Sequence, residues 1–402
     1  GRAWSNLLVN IILALRENNE KVRGAHPEQI YHLSATYLLK SLDDNALYTD
    51  PVTAEKDREG YNSTGAGFTY RHVEGGIQVL SIIRNSPAFF SPLAEGDVIT
   101  HINSKKVAEI TPELLEATLI SNNTAILHFN YITYIMNQPA EAYIRKDKII
   151  MPSVTADASV PGIPVVAIRD FRQGAARELK AAIDGLDRAS MKGLVIDLRA
   201  ATGGEFSEAM EAANLFIDGG ELLKTKRHDG RGGSLYSAKE GDMLSGLPVA
   251  VIADNSTKGY PEAFAFALAE RKRAVLLGTP TFGMGTVEET FDINKNRKAT
   301  FATSLVFSPE GAALNGIGVA PLVCLSSFKA TGDADKFVRN AKAGRFKDNR
   351  MKLAEPTKDD IETLRKSCPA VYPTMEMQAL PITIAAKILE DKEAYGKLAD
   401  MM

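Results

Sequence analysis

The sequence predicts an α/β core interrupted by an inserted, mostly β domain, with helical segments at both ends. Three observations carry this. The chain has 402 residues, more than one hydrophobic core usually supports. Between about Tyr61 and Ile144, short alternating runs separated by turn residues replace helical periodicity, the pattern of a β domain. After Pro161, strand and helix patterns alternate, the pattern of an α/β layer. The expected division is a helical segment at 1–60, a β domain at 61–150, an α/β core with a cap at 151–328, and a helical tail at 329–402.

Leu7, Leu8, Ile11, Ile12 and Leu15 recur at helical spacing, so the first segment is an amphipathic helix. A second helical pattern runs from about Pro27 to Leu42 and breaks at Asp43-Asp44-Asn45. The two apolar stripes either cover the core or meet a second subunit. In the β domain, Gly65-Ala66-Gly67-Phe68 leads into a strand and Ile77–Ile83 forms another. Thr111 caps a helix that starts at Pro112. In the core, Val165–Ile168, Leu194–Leu198, Val249–Ala253 and Ala274–Leu277 read as buried strands. Helices are expected over Ala175–Leu186, Glu205–Phe216 and Glu262–Glu270. The tail after Phe328 is charged and mostly helical, broken by Pro369, Pro373 and Pro381.

A net charge of −3 supplies no field to gather nucleic acid or anionic lipid, so no nucleic-acid partner is expected. No apolar run reaches the roughly 20 residues of a membrane span. Gly1-Arg2 carries no initiator methionine, which leaves a signal or anchor ahead of the sequence open. No Cys/His grouping has metal-ligand spacing, so neither metal nor cofactor is expected. Cys324 and Cys368 are either two unpaired small hydrophobes or a bridge worth about 4 kcal/mol by loop entropy; the sequence leaves both open.

Several motifs carry chemistry. Glycines at 65 and 67 let successive N–H groups converge, a nest suited to a peptide's terminal carboxylate, with the adjacent strand receiving the peptide. Ser86-Pro87-Ala88 and Glu95-Gly96-Asp97-Val98-Ile99 follow at the spacing of PDZ domains. In Asp197-Leu198-Arg199-Ala200-Ala201-Thr202-Gly203-Gly204, a strand runs into a Gly-Gly turn that opens a helix, where exposed N–H groups suit an oxyanion. Thr281-Phe282-Gly283-Met284-Gly285-Thr286-Val287-Glu288, Ser308-Pro309-Glu310-Gly311 and Gly318-Val319-Ala320-Pro321 complete the set.

In order, these strings resemble motifs of the carboxyl-terminal processing (tail-specific) protease family: D-L-R-x-N-x-G-G, T-F-G-K-G-x-V-Q, T-P-x-G and G-I-x-P-D. Ser41-Leu42-Asp43-Asp44-Asn45-Ala46-Leu47-Tyr48 resembles the segment that enters the family's PDZ domain. The resemblance covers roughly residues 30 to 325 and implies a ClpP/crotonase-like α/β core with an inserted PDZ domain. It also implies a serine nucleophile whose proton is taken by a buried lysine.

Here the sequence departs from the family. The lysine position is Met284, and the serine position, 25 residues earlier, is Gly259. Reading forward from the strand Pro248–Asp254 gives the same register and puts the motif's glutamate on Glu262. The assisting glutamine becomes Glu288, and Tyr260 and Pro261 replace small residues at the helix entry. By resemblance, Gly203, Gly204 and Tyr260 take the oxyanion-like positions, and Gly65, Ala66, Gly67 and Phe68 the peptide-binding loop. Ser256 and Lys258 are a substitute Ser–Lys pair to weigh, but they read as an ordinary surface loop. His228 lies in a Gly- and Arg-rich loop without a carboxylate partner.

Three functions follow. The first is a pseudoprotease that binds protein C-terminal tails without hydrolysis, as a scaffold or a regulator of an active protease relative. The second is an active serine endopeptidase with a rearranged dyad. The third is a carrier or structural module, since the fold also resembles the retinoid-binding repeats of vertebrate photoreceptor matrix. The resemblance further implies a periplasmic, cell-envelope or secreted protein, a homodimer through terminal helices, and an envelope partner.

Overall fold

The computed structural model describes residues 2–50, 64–83, 86–120, 124–149, 151–329, 331–345, 348, 350–370 and 379–401. The expected β-domain onset at Tyr61 and the break at Pro373 lie outside them. The chain divides into two compact units: 1–38, 47–151 and 291–299 form the first, and 39–46, 152–290 and 300–402 the second.

The first unit opens with helices α1 (Arg2–Asn18), α2 (Glu20–Gly24) and α3 (Pro27–Lys40). Leu7, Ile11 and Leu15 on α1 are about half exposed. After β1 (Leu47–Thr49) come β2 (Thr64–Gly65), β3 (Phe68–Val73), β4 (Gly76–Ile82), β5 (Val98–Ile102) and β6 (Lys105–Lys106). Helix α4 (Pro112–Leu119) follows, then β7 (Ile126–Ile132), β8 (Pro139–Arg145) and β9 (Asp147–Lys148). Thr111 caps α4 by accepting from Leu114 N–H, with Pro112 in its first turn, as its sequence predicts. The main sheet is antiparallel in the order β3-β4-β5-β7-β8, which leaves β3 as an edge. Ile77, Ile99, Leu115, Phe129 and Ile144 form its core.

The second unit is α/β. Its strands β10 (Val154–Asp157), β11 (Val165–Ile168) and β12 (Leu194–Asp197) are separated, after β11, by α5 (Ala175–Asp184). Next come α6 (Phe206–Asn214), β13 (Gly220–Arg227), β14 (Leu235–Ala238), β15 (Val249–Ala253), α7 (Tyr260–Glu270) and β16 (Val275–Gly278). The hairpin β17 (Thr286–Asn294) and β18 (Arg297–Phe307) precedes β19 (Val323–Cys324), and α8 (Thr331–Lys342), α9 (Lys358–Ser367), α10 (Leu380–Glu390) and α11 (Lys392–Asp400) close the chain. The central sheet runs β10-β11-β12-β15-β16-β19, parallel except for the antiparallel edge strand β10.

Every residue of β15 is buried, because the sheet is covered on both faces. Val249, Val251 and Ala253 enter one core with Leu179 of α5, Phe216 just after α6 and Phe264 of α7. Ala250 and Ile252 enter the other with Phe337, Ile384 and Leu398 from α8, α10 and α11. Helices α8, α10 and α11, from the expected C-terminal helical tail at 329–402, therefore cover one face of the sheet. Helix α7 begins at Tyr260 rather than Glu262. Pro261 fits its first turn, and the Glu262 carboxylate accepts the Gly259 N–H at 2.8 Å, fixing the helix start two residues earlier. Cys324 and Cys368 are bridged, Cα to Cα 5.8 Å, which resolves their open pairing and ties the end of α9 to β19.

Candidate active site

Two strand-to-helix turns at the carboxyl ends of β12 and β15 are laced together. Lys258 N–H donates to Ala201 O at 2.9 Å, and the buried Thr257 hydroxyl donates to Leu198 O at 2.8 Å. Arg199 is locked on Asp197 by paired hydrogen bonds of 2.9 and 2.6 Å, and Asp254 accepts from Ala200 N–H. The second turn ends on Gly259, at φ 76° and ψ −126°, left-handed backbone that an L side chain enters only under strain.

Gly259 sits where three features of the sequence pattern converge. A Cβ placed on it would lie 3.5 Å from Met284 Sδ and 3.8 Å from Gly203 N. Gly259 and Met284, the positions to which the motif resemblance assigns a dyad, thus face each other, with a backbone N–H of the Gly-Gly turn beside them. Gly204 is required by packing, since a Cβ there would fall 2.1 Å from the Phe171 carbonyl carbon, whereas Gly203 opens onto free space. Among the described residues, the N–H groups of Gly203, Gly204 and Tyr260 make no hydrogen bond to another group.

Glu262 holds this geometry. Its carboxylate is fully buried and receives four donors: Thr281 Oγ1 and Gly283 N at 2.6 Å, Gly259 N at 2.8 Å, and Met284 N at 3.0 Å. Burial pushes its pKa up, and the four donors pull the other way. One carboxylate thereby clamps the turn at 259 to the loop at 281–284. That loop is tight: a Cβ on Gly285 would fall 2.1 Å from Asn315 N, and Asn315 Nδ2 donates to Met284 O at 2.6 Å. Arg365 on α9 donates to Phe282 O at 2.8 Å. Met284 is buried, and its thioether neither takes nor gives a proton.

The remaining candidates fall around this centre. Tyr260 packs edge-on against Phe206, and its hydroxyl accepts from Glu288 N–H at 3.4 Å; burial pushes its pKa up to about 12. Glu288 is half-buried, and its pKa is pushed up by burial and by Asp43, against the opposing pull of Lys258. Ser256 is exposed, and the Lys258 ammonium sits 4.4 Å from the centre of the Phe282 ring. Neither side chain hydrogen-bonds the other, so the sequence-adjacent pair is not an assembled dyad. His228 is exposed. No group of three or more His, Cys, Asp or Glu among the described residues could hold a metal ion. The roles of Arg365 and Phe282 escape sequence reading because their partners lie 83 and 24 residues away.

In the first unit, Gly67 has φ +89°, and a Cβ there would fall 2.2 Å from Ser86 Cβ, so Ser86 demands glycine at this turn. Ser86 Oγ donates to Gly67 O at 2.8 Å. Ala66 N–H is already given to Leu119 O at 3.3 Å, so it is not one of a converging set of free donors. Phe68 opens the edge strand β3 and pairs with Ile82. Burial, and after it the charge of Glu116 on α4, push the pKa of Tyr70 on β3 up.

Residues 162–324 match peptidase family S41. The chain is 26% identical over 294 residues to the carboxy-terminal-processing protease of Bartonella bacilliformis, covering 71% of this chain and 67% of that protein. It is likewise 26% identical over 297 residues to the carboxy-terminal processing protease CtpA of Bacillus subtilis, covering 71% and 62%. The matched region thus spans about two thirds of these relatives' length. Among solved structures, one described as an S41 protease of Bacteroides fragilis superposes with a TM-score of 0.52 at 17% identity, over 74% of this chain and 82% of that one, a likeness of fold.

Proposed function

Because the chain belongs to the S41 family of carboxyl-terminal processing proteases, we propose that it binds the C-terminal tails of proteins without hydrolysing them. One observation carries the reading: the position that should present a hydroxyl is Gly259, and the group facing it is the Met284 thioether. Without nucleophile or base, only binding and backbone donors remain, and these sustain a small fraction of a serine peptidase's rate. Acyl transfer would need an oxygen at 259 attacking the scissile carbonyl and a base at 284 taking its proton. Gly203, Gly204 and Tyr260 N–H groups are free to hold a carbonyl or carboxylate oxygen of a bound chain.

The first unit is read as a PDZ domain, with the free edge of β3 and helix α4 flanking the groove and Gly67 and Phe68 at its carboxylate end. The disulfide supports a periplasmic, envelope or secreted location, where such bridges persist. The exposed α1 stripe supports a homodimer or another envelope partner.

The test is fluorescence anisotropy with labelled peptides ending in apolar residues, with the mixture followed by mass spectrometry. Saturable binding with every peptide intact is expected. Turnover would overturn the inactive reading. The competing active reading rests on Ser256 as nucleophile, and loss of any such turnover in Ser256→Ala would establish it.

A further inference from the structure

Beside the Gly259 turn lie two carboxylates whose environment is incomplete. Glu288 is half-buried, yet its carboxylate makes no hydrogen bond or ion pair among the described residues. Asp43 is brought next to it by the β17–β18 hairpin. The Thr290 and Thr300 hydroxyls bond across that hairpin at 2.8 Å, and Thr303 Oγ1 reaches Val287 O, so Ala302 stands opposite Glu288. Asp43 Oδ2 accepts from Ala302 N–H at 2.8 Å, and its Oδ1 from Asn45 N–H at 2.9 Å. Each oxygen keeps a second lone pair for a further donor.

A third feature points to an occupant. Thr286 is 8% exposed, and its hydroxyl is buried without a partner. It precedes Glu288 by two on β17, so both side chains leave the strand on the same side. The nearby cation, Lys258, forms no ion pair with Glu288 and keeps its ammonium over Phe282. Two carboxylates, one diverted ammonium and an unused buried hydroxyl form an acceptor-rich cluster with net negative charge. An ammonium or guanidinium group supplies several donors with a positive charge, and charge-assisted hydrogen bonds are the strong ones.

We propose that Glu288, Asp43 and Thr286 form a subsite for the basic side chain, lysine or arginine, of an extended peptide bound across the Gly259 turn. The assignment rests on the reading of this site as a peptide-binding one. Glu288 and Asp43 supply the charge, and Thr286 accepts one further N–H. The raised pKa of Glu288, due to burial and then Asp43 and opposed by Lys258, accords with a carboxylate lacking its counter-ion.

The test uses the full chain and two series of fluorescein-labelled peptides. Each series carries lysine, or norleucine in its place, at successive positions back from the C-terminus. At one position the lysine peptide should bind about tenfold tighter, the scale of one charge-assisted contact. Glu288→Gln should reduce that preference to about twofold or less, and Asp43→Asn should weaken it, both with unchanged circular dichroism. Norleucine peptides should bind these variants as they bind the wild type. Equal affinity for lysine and norleucine at every position would overturn the subsite, as would a preference that survives in a folded Glu288→Gln. Cleavage of the lysine peptide with its preference intact would refute the loss of hydrolysis and leave the subsite standing. Binding of neither series would overturn both.

Discussion

Replacing Glu262 by glutamine probes the clamp that holds the turn at Gly259 to the loop at 281–284. Each carboxylate oxygen takes two donors: Thr281 Oγ1 and Gly283 N on one, Gly259 N and Met284 N on the other. Glutamine offers one acceptor oxygen, so in either amide orientation two of the four donors meet an NH₂ group instead. A buried donor without an acceptor costs about 1–3 kcal/mol, giving roughly 2–6 kcal/mol for the pair. Relief of the buried charge offsets part of this. A net loss of about 1–4 kcal/mol would lower the melting temperature by roughly 2–16 °C. The assay is thermal unfolding with hydrogen exchange, and faster exchange is expected at Gly259, Gly283 and Met284 while the amides of β12 remain protected. A variant as stable as the wild type, with unchanged exchange at these three amides, would refute the clamp.

Glu288→Gln should change stability with pH. Burial and Asp43 raise the folded pKa of Glu288 above its ordinary 4.5, so its protonated form favours folding. That contribution is present below the ordinary value and is lost as pH rises through the raised one. The variant should therefore melt higher than the wild type at pH 7.5 and no higher at pH 4, as read by calorimetry; equal melting temperatures at pH 7.5 would contradict this. Gly67→Ala should cost roughly 2–4 kcal/mol, from positive-φ strain and the 2.2 Å approach to Ser86, measured by urea unfolding of the first unit. Removing the bridge in a Cys324→Ser, Cys368→Ser variant should cost up to about 4 kcal/mol for the 44-residue separation. It should also raise exchange in α9, whose Arg365 holds the 281–284 loop.

What was legible in the sequence is what local pattern encodes. The strand Val249–Ala253 is marked by an unbroken apolar run that only a doubly covered sheet can bury, and the structure places it there. Motif register put Gly259 and Met284 at one site, and a Cβ built on Gly259 would lie 3.5 Å from Met284 Sδ. Long-range partnerships were not legible. Nothing in the charged, Pro-broken segment after Phe328 announces that Ile384 and Leu398 cover the sheet, because their partners Val195 and Ile252 lie more than 100 residues upstream. The hairpin β17–β18 went unread because most of β17 is exposed and shows no alternation. Asp43 lay within a quoted motif, but its place beside Glu288 depends on a hydrogen bond spanning 259 residues.

The most direct measurement compares hydrolysis of a tail peptide by the wild type and by a Gly259→Ser, Met284→Lys variant, with fluorophosphonate labelling followed by intact mass. A side chain at 259 meets no atom closer than 3.5 Å, so its burden is backbone strain of about 1–3 kcal/mol rather than a clash. The wild type should stay unlabelled and leave the peptide whole, while the double variant becomes labelled at residue 259 and cleaves. Labelling or turnover by the wild type at any other serine would contradict the proposal that the chain binds tails without hydrolysing them.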